Sequence, residues 1–286
     1  MLKKIIYSGI LLMICQSLII KIPCFSQYAN AKTIDNAHII LTYMLEYHQD
    51  STNLDDKRGE EMLLFIGSNH SLFMSYSRVL NDTIRSNLSR AEQMGVDQQT
   101  LMNQFTSSMQ SSRFRYRLYK NYRENTLSFH QYVQGTYFLY EEPLNSMRWE
   151  LIAGEERVIQ NYQVTKATTY YGGRNWVAWF APEIPISDGP YKFSGLPGLI
   201  IKIEDTKGHY VFTLTSFENL HSPRPIELIP RDNEVITNRK DFLRTVEKFR
   251  ANIIHHAQDM QLAPESQRRA AENMRRRNNP IELKAD

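Results

Sequence analysis

Strand-like runs joined by glycine turns dominate the middle of the chain. Residues 162–171 alternate two sets of side chains, and a turn at Gly172-Gly173, where positive φ is allowed, leads into a second run over 176–181. A further hairpin joins residues 199–204 to residues 209–217. The 16 Tyr, 13 Phe and 3 Trp suit a pleated, half-buried surface. The sequence therefore predicts antiparallel sheet and not a helical bundle.

Shorter patterns predict the other elements. Strand patterns cover residues 38–46, 61–66, 71–76, 114–122, 126–133, 136–140, 148–153 and 157–162. A helical insertion is expected over about 81–111, split near Gly95 and capped at Asp97. A loop over 223–237 and a C-terminal helix over about 238–260 follow. The predicted fold class is α+β, a mostly antiparallel curved sheet of successive hairpins with these helices added.

The amino terminus has the pattern of a secretory signal peptide. Lys3 and Lys4 precede an uncharged apolar stretch, and Ala31 supplies a small residue at which cleavage is expected. A cut near Ser26 is the alternative. The apolar stretch is shorter than the roughly 20 residues that a spanning helix needs, so we expect no integral membrane span after processing. The expected location is the periplasm, the outer membrane surface or the medium.

The cysteine count limits how the exported chain can be stabilised. Cys15 and Cys24 both lie in residues 1–31, so no disulfide is expected after processing. A lipoprotein cut at Cys24 is the alternative, although the residues before it are a poor match. The remaining chain is long enough for one hydrophobic core, and we expect a single domain over 32–262.

Charge gives no indication of nucleic-acid binding. Residues 1–31 contain three lysines and no acid, which leaves 34 − 3 = 31 basic residues against 31 acidic ones. A nucleic-acid partner would need a basic stripe on the folded surface. The clearest basic cluster is in the polar tail, 263–286, and consists of Arg268, Arg269, Arg275, Arg276 and Arg277. We expect a solvated helical tail, with contact to anionic headgroups or surface sugars as the alternative.

A Pro- and Gly-rich stretch lies between the two hairpins. It contains Gly189-Pro190 and the hexapeptide Gly195-Leu196-Pro197-Gly198-Leu199-Ile200. This hexapeptide is the one for which the GLPGLI family of bacterial envelope proteins is named. The resemblance extends from about residue 119 to the end and includes residues 278–283. It implies an exported protein of unassigned biochemical function, and it carries over no catalytic residues.

We expect the hexapeptide to be structural. Pro197 and Gly198 fit the two central positions of a type II turn that starts at Leu196. The alternative is a recognition lip for a ligand or peptide, formed by Arg174, Trp176, Trp179, Tyr191 and Lys192. In that lip the two cations would lie against the neighbouring tryptophans.

Common catalytic and metal motifs are missing from the sequence. There is no G-x-S-x-G, no H-E-x-x-H and no phosphate-binding glycine loop. His255, His256 and Met260 come nearest to a metal set, and a solvated helix end explains them better. We therefore predict no catalytic residue, no metal and no cofactor.

These patterns favour a non-catalytic envelope module that either binds a partner or is a structural component. Its expected partner is another envelope protein or an apolar ligand. A periplasmic hydrolase with a family-specific site and a lipid or apolar-ligand carrier remain as alternatives. A deep cavity between sheet and helix would favour the carrier. A cleft with a buried catalytic pair would favour the enzyme. A flat exposed edge strand would favour a structural component of an assembly.

Overall fold

One curved sheet of 12 strands organises the chain. The computed structural model describes residues 31–285 apart from 232, 254, 256, 257, 259 and 260, so the predicted signal peptide, both cysteines, His256 and Met260 lie outside the described residues. The strands are β1 (Lys32–His48), β2 (Lys57–Ile66), β3 (His70–Ser75), β4 (Tyr116–Asn121), β5 (Thr126–Val133), β6 (Thr136–Pro143), β7 (Glu150–Ile159), β8 (Tyr162–Tyr171), β9 (Arg174–Ala181), β10 (Leu199–Asp205), β11 (Tyr210–Leu228) and β12 (Glu234–Thr237). The predicted class, α+β with a mostly antiparallel curved sheet, is confirmed.

The order across the sheet is β12-β6-β5-β4-β3-β2-β1-β11-β10-β9-β8-β7. Neighbouring strands are antiparallel except for β12, which pairs parallel with β6. The central pair joins β1 to β11, which come from the two halves of the chain. The pairs β2–β3, β8–β9 and β10–β11 are hairpins that the sequence predicts.

The predicted loop over 223–237 is wrong. Strand β11 continues to Leu228, and Pro225 lies opposite Asn36 close to register shifts in β1. Such irregularities interrupt the ladder of backbone hydrogen bonds, so a proline, which has no N–H to donate, is tolerated there. Strand β12 is also missing from the prediction, because its four residues at the sheet edge have too little pattern to be recognised.

The strands bury side chains on both faces of the sheet. On β1, Leu41, Tyr43 and Leu45 belong to the larger hydrophobic cluster, whereas Ala37 and Ile40 belong to the smaller one. We call the face with the larger cluster the inner face. Helix α1 (Tyr76–Gln93) covers the outer face, where its Val79 is fully buried.

The helices agree with the predicted pattern. Helix α2 (Gln98–Ser108) follows α1 after Gly95, and the Asp97 carboxylate accepts from the backbone N–H of Thr100 at 2.9 Å, as a helix cap. Helix α3 (Arg239–Ala251) confirms the first part of the predicted C-terminal helix, and α4 (Pro264–Arg275) follows it. No helix among the described residues is long and apolar enough to cross a membrane.

Helix α3 packs on the inner face through one aromatic side chain. The Phe242 ring is 5.3 Å from that of Tyr140, 5.6 Å from that of Phe129 and 5.9 Å from that of Phe138. Edge-to-face and tilted aromatic pairs at these distances add to the gain from burial. The helix is therefore fixed at the β5–β6 end of the sheet.

Candidate functional site

The loop over residues 182–198 folds back onto the inner face. At the hexapeptide, Gly198 N donates to Leu196 O at 2.9 Å, and Leu199 N donates to Ile184 O at 3.2 Å. This is a three-residue turn around Pro197, so the predicted type II turn is wrong. A Cβ on Gly198, where φ is +154°, would lie 2.3 Å from the carbonyl oxygen of Ala181. Glycine is needed there because the backbone of β9 is so close.

The other motif residues are mainly core residues. Pro190, Leu196, Leu199 and Ile200 are buried, and a Cβ on Gly189 would lie 2.7 Å from Ile200 Cδ1. Gly195 is exposed and has φ +89°. The expected structural role of the hexapeptide accounts for each of these positions.

A buried ion pair holds this loop to β4. Lys120 pairs with Asp188, and Lys120 Nζ also donates to Gly189 O at 2.9 Å. The Asp188 carboxylate accepts from Tyr122 Oη at 2.6 Å and from Ser71 Oγ at 2.7 Å. Because both charges have several partners, the pair fixes the loop in one position.

A second buried network surrounds Lys192. Its Nζ lies 2.7 Å from Glu142 Oε1 and 2.9 Å from Glu282 Oε1, and it donates to the hydroxyls of Tyr140 at 2.9 Å and Tyr171 at 3.0 Å. The side chain of Lys192 is fully buried. The loop over 182–198, the strands β6 and β8, and Glu282 near the C-terminus therefore meet at the ammonium group of Lys192.

Arg239 at the start of α3 completes this network. Its Nε donates to Glu282 Oε2 at 2.6 Å, and Tyr191 Oη donates to Glu282 Oε1. Burial alone would raise the pKa of Glu282, but Lys192 and Arg239 outweigh it and hold that pKa below its usual range. Two carboxylates thus face two cations, and Glu282 is kept ionised. This arrangement does not make Glu282 a proton donor.

The C-terminal segment, residues 278–284, enters the fold after α4. Asn279 is buried, donates to His48 O at 2.7 Å and accepts from Arg174 Nη2 at 2.6 Å. Arg174 also donates to Pro280 O at 2.6 Å and pairs with Asp205 at 2.7 Å. The segment expected to be a polar tail therefore buries two of its side chains, Asn279 and Glu282, in the protein interior. The similarity of residues 278–283 to a family pattern is the sequence signal for these contacts.

The residues of the predicted recognition lip are all buried. Trp176 packs on Phe193 with ring centroids 4.6 Å apart, and its Nε1 donates to Tyr171 O at 3.0 Å. The other four members, Arg174, Trp179, Tyr191 and Lys192, are at most 4% exposed. They therefore do not form a surface lip, although Tyr191 contributes to the wall of an internal cleft.

The expected stacking of cations on tryptophan takes a different form. Arg174 lies 5.0 Å from the ring centroid of Tyr210, and Lys192 lies 4.9 Å from that of Tyr140. Trp179 instead receives Arg157, whose guanidinium is 3.5 Å from the indole centroid. Arg157 belongs to β7 and reaches Trp179 because of the strand pairing. The residues next to Trp179 in the sequence do not indicate this contact.

A cleft of about 1890 Å³ opens between the inner face and the C-terminal helices. Tyr116, Phe129, Tyr140 and Tyr210 form much of its floor, and α3 and α4 supply side chains including Phe249 and Met274. The Lys192 network borders the same space through Tyr191 and Glu282. Sequence patterns did not indicate this cleft because its residues come from distant parts of the chain.

No catalytic or metal-binding set stands out in the part of the chain that the structure describes. Its His, Cys, Asp and Glu residues form no group of three that could hold a metal ion. The partly buried His130 Nδ1 lies 3.0 Å from Glu234 Oε1 and so links β5 to β12.

Comparison with known proteins gives a short match. No curated protein matches the chain significantly. PNGF-II in its P21 and C2 crystal forms is similar in structure, with TM-scores of 0.47 and 0.46 and 14% identity, over 76% and 74% of this chain and 34% and 33% of the PNGF-II chain. This chain thus spans about a third of the length of those structures. Residues 171–202, which include the loop and hexapeptide, match the Porph_ging family, described as a protein of unknown function.

Proposed function

We propose that this chain is an exported envelope protein of the GLPGLI type that binds a ligand with a large apolar part in the cleft on its inner face. The observation that carries the proposal is the size and lining of the cleft. Its volume of about 1890 Å³ exceeds the roughly 300–1,000 Å³ of ordinary small-molecule pockets. Its aromatic floor can bury an extended apolar group.

The frame around the cleft is suited to binding. The Lys120–Asp188 pair and the Lys192 network hold the floor in place, and α3 is fixed by Phe242. Binding costs less free energy when the site does not have to be ordered first. Export to the periplasm or cell surface belongs to this proposal and rests on the signal-like amino terminus.

Catalysis is not part of the proposal. Glu142 and Glu282 are the paired carboxylates of the inner face, and Lys192 contacts both of them. A hydrolase that uses two carboxyl groups needs one to be a proton donor with a raised pKa. The lowered pKa of Glu282 favours a structural role for this pair.

A neutral fluorescent probe tests the proposal. We expect N-phenyl-1-naphthylamine to bind purified protein with enhanced fluorescence, at about one probe per chain. Replacement of Ala270, which lines the cleft from α4, by Trp should weaken binding at least about tenfold, because the indole occupies the cleft. The matched control is Ala251→Trp at the exposed end of α3. Equal probe binding by both variants would count against the cleft as the binding site.

Ligand retained from the native host gives a second, independent test. The protein is purified from the host envelope fraction and analysed by native mass spectrometry. We expect an added mass that organic solvent extracts, and that Ala270→Trp loses but Ala251→Trp keeps. Recovery of the full-length chain, still beginning at Met1, from the cytosol would contradict the proposed export.

A further inference from the structure

We propose that Arg113, Arg250 and Arg277 form an anion site at the cleft, and that the ligand is therefore an anionic amphiphile, with an apolar chain on the aromatic floor and a phosphate or carboxylate head at these arginines. This inference rests on the proposed function, since it names the chemical class of the ligand for the same cleft.

Three separate parts of the chain bring these arginines to the cleft. Arg113 lies between α2 and β4, Arg250 in the last turn of α3, and Arg277 after the end of α4. All three line the cleft. Folding thus places three guanidinium groups, each of which can donate several hydrogen bonds to one oxyanion, around the same opening.

The three arginines have no carboxylate of a described residue at salt-bridge distance, although the charge of Glu247 acts to raise the pKa of Arg250 against the larger effect of burial. Among the residues that the structure describes, the guanidinium groups of Arg113, Arg250 and Arg277 form no ion pair. The nearby Glu60 carboxylate instead accepts from Ser112 Oγ at 2.7 Å and from the backbone N–H of Arg113 at 3.0 Å.

Repulsion among the three groups is apparent in their acidity. Burial lowers the pKa of each arginine, and a neighbouring guanidinium lowers it further: Arg250 acts on Arg113, Arg277 on Arg250, and Arg113 on Arg277. Arginine nevertheless stays protonated in proteins. A bound anion would offset this repulsion, and that gain makes the site selective for negative charge.

A buried hydroxyl provides a second, independent indication of a polar ligand group. Tyr116 is 4% exposed and lines the cleft, and among the described residues its hydroxyl has no hydrogen-bond partner. Burial raises the pKa of Tyr116, and the charges of Glu60 and Glu282 raise it further, so the hydroxyl remains a donor. A buried donor without a partner is costly, and a polar group of the ligand can accept its hydrogen bond.

The apolar part of the cleft indicates an amphiphile instead of a small anion. Phe129, Phe242, Val246 and Phe249 line the same space as the arginines. A phosphate ion alone would leave this apolar surface uncovered. An acyl or alkyl chain would bury it, at about 0.8 kcal/mol for each methylene group.

Displacement of N-phenyl-1-naphthylamine tests the inference with three compounds: dodecyl phosphate below its micelle concentration, the uncharged dodecan-1-ol below its solubility limit, and inorganic phosphate. We expect dodecyl phosphate to displace the probe at a concentration at least about tenfold lower than dodecan-1-ol does. The variant Arg277→Gln, at an exposed position, and the double variant Arg250→Gln/Arg277→Gln should remove this preference, so that dodecyl phosphate and dodecan-1-ol displace the probe at similar concentrations. Arg275→Gln, which lies outside the cleft lining, is the matched control.

The outcomes separate the two proposals. Equal displacement by dodecyl phosphate and dodecan-1-ol, or a preference that survives the double variant, overturns the anion site and leaves the cleft as an apolar binding site. A rise in melting temperature with inorganic phosphate, without displacement of the fluorescent probe by either dodecyl compound, overturns the inference that the ligand is an amphiphile. Absence of binding by the fluorescent probe and by all three compounds contradicts the proposed function itself.

Discussion

The Nζ atom of Lys192 lies 2.9 Å from Oε1 of Glu282, so that a loop in the middle of the sequence is joined to the last few residues of the chain. Both side chains are almost completely buried. Glu142 and Arg239 complete the charge balance. The C-terminal segment is therefore required for the charge balance of the core and not only for covering it.

Removal of the Lys192 charge should destabilise the protein strongly. In Lys192→Met, Glu142 loses its contact at 2.7 Å and Glu282 its contact at 2.9 Å, and the Glu282 carboxylate stays buried. We expect the free energy of unfolding to fall by about 3–5 kcal/mol, as measured by urea denaturation. The matched control is Lys202→Met, which breaks a partly exposed pair with Glu204 and should cost less than about 1 kcal/mol. Similar losses in the two variants would contradict this account.

Two adjacent asparagines should differ in their contribution to stability. Asn279→Ala removes hydrogen bonds to His48 O and Arg174 in the interior, and we expect a loss of about 2–3 kcal/mol in thermal or urea unfolding. Asn278→Ala removes only exposed hydrogen bonds to Asp50 and Ser51 and should cost less than about 1 kcal/mol. If Asn279→Ala were as stable as Asn278→Ala, the C-terminal segment would not be part of the core.

The second glycine of the hexapeptide should not tolerate alanine. The Cβ of Gly198→Ala would lie 2.3 Å from Ala181 O, and φ is +154°. We expect a loss of about 3 kcal/mol or more, measured as a fall in the urea midpoint. Gly208→Ala is the control: φ is +66° there, but a Cβ meets nothing within 4 Å, so about 1 kcal/mol is expected. A smaller loss at Gly198 than at Gly208 would refute the close contact between the loop and β9.

The pH dependence of stability should report the ionised state of Glu282. Its folded-state pKa is lower than the usual 4.5, so the unfolded chain binds the proton more readily. The stabilising contribution is therefore fully present above pH 4.5 and is lost as the pH falls through the folded-state pKa. Urea unfolding of the wild type and Glu282→Gln at several pH values should show a gap in free energy that is widest near neutral pH and narrows in acid. A gap that stays constant would exclude an ionised Glu282.

Local patterns in the sequence determined most of the sheet. The alternation in residues 162–171, the turn glycines and the Asp97 cap each act through neighbours in the chain, and the structure confirms the hairpins and the split helices. Burial of Leu196 and Leu199 was also predictable, since they are apolar residues between two hairpins. The turn type was not predictable, because the Ala181 carbonyl and Ile184 decide it through contacts from outside the motif.

Only the tertiary structure decided which charged residues meet. Lys120 and Asp188, Lys192 and Glu282, and the three arginines at the cleft are far apart in sequence, so no local pattern indicates that they meet. Strand pairing of β1 with β11 and the return of the C-terminal segment bring them together. The sequence determines the local conformational preference of the backbone. Which side chains are buried and which charged groups pair depends on distances between separate parts of the chain, and these distances are set only when the sheet has folded and the loop over 182–198 has packed onto it.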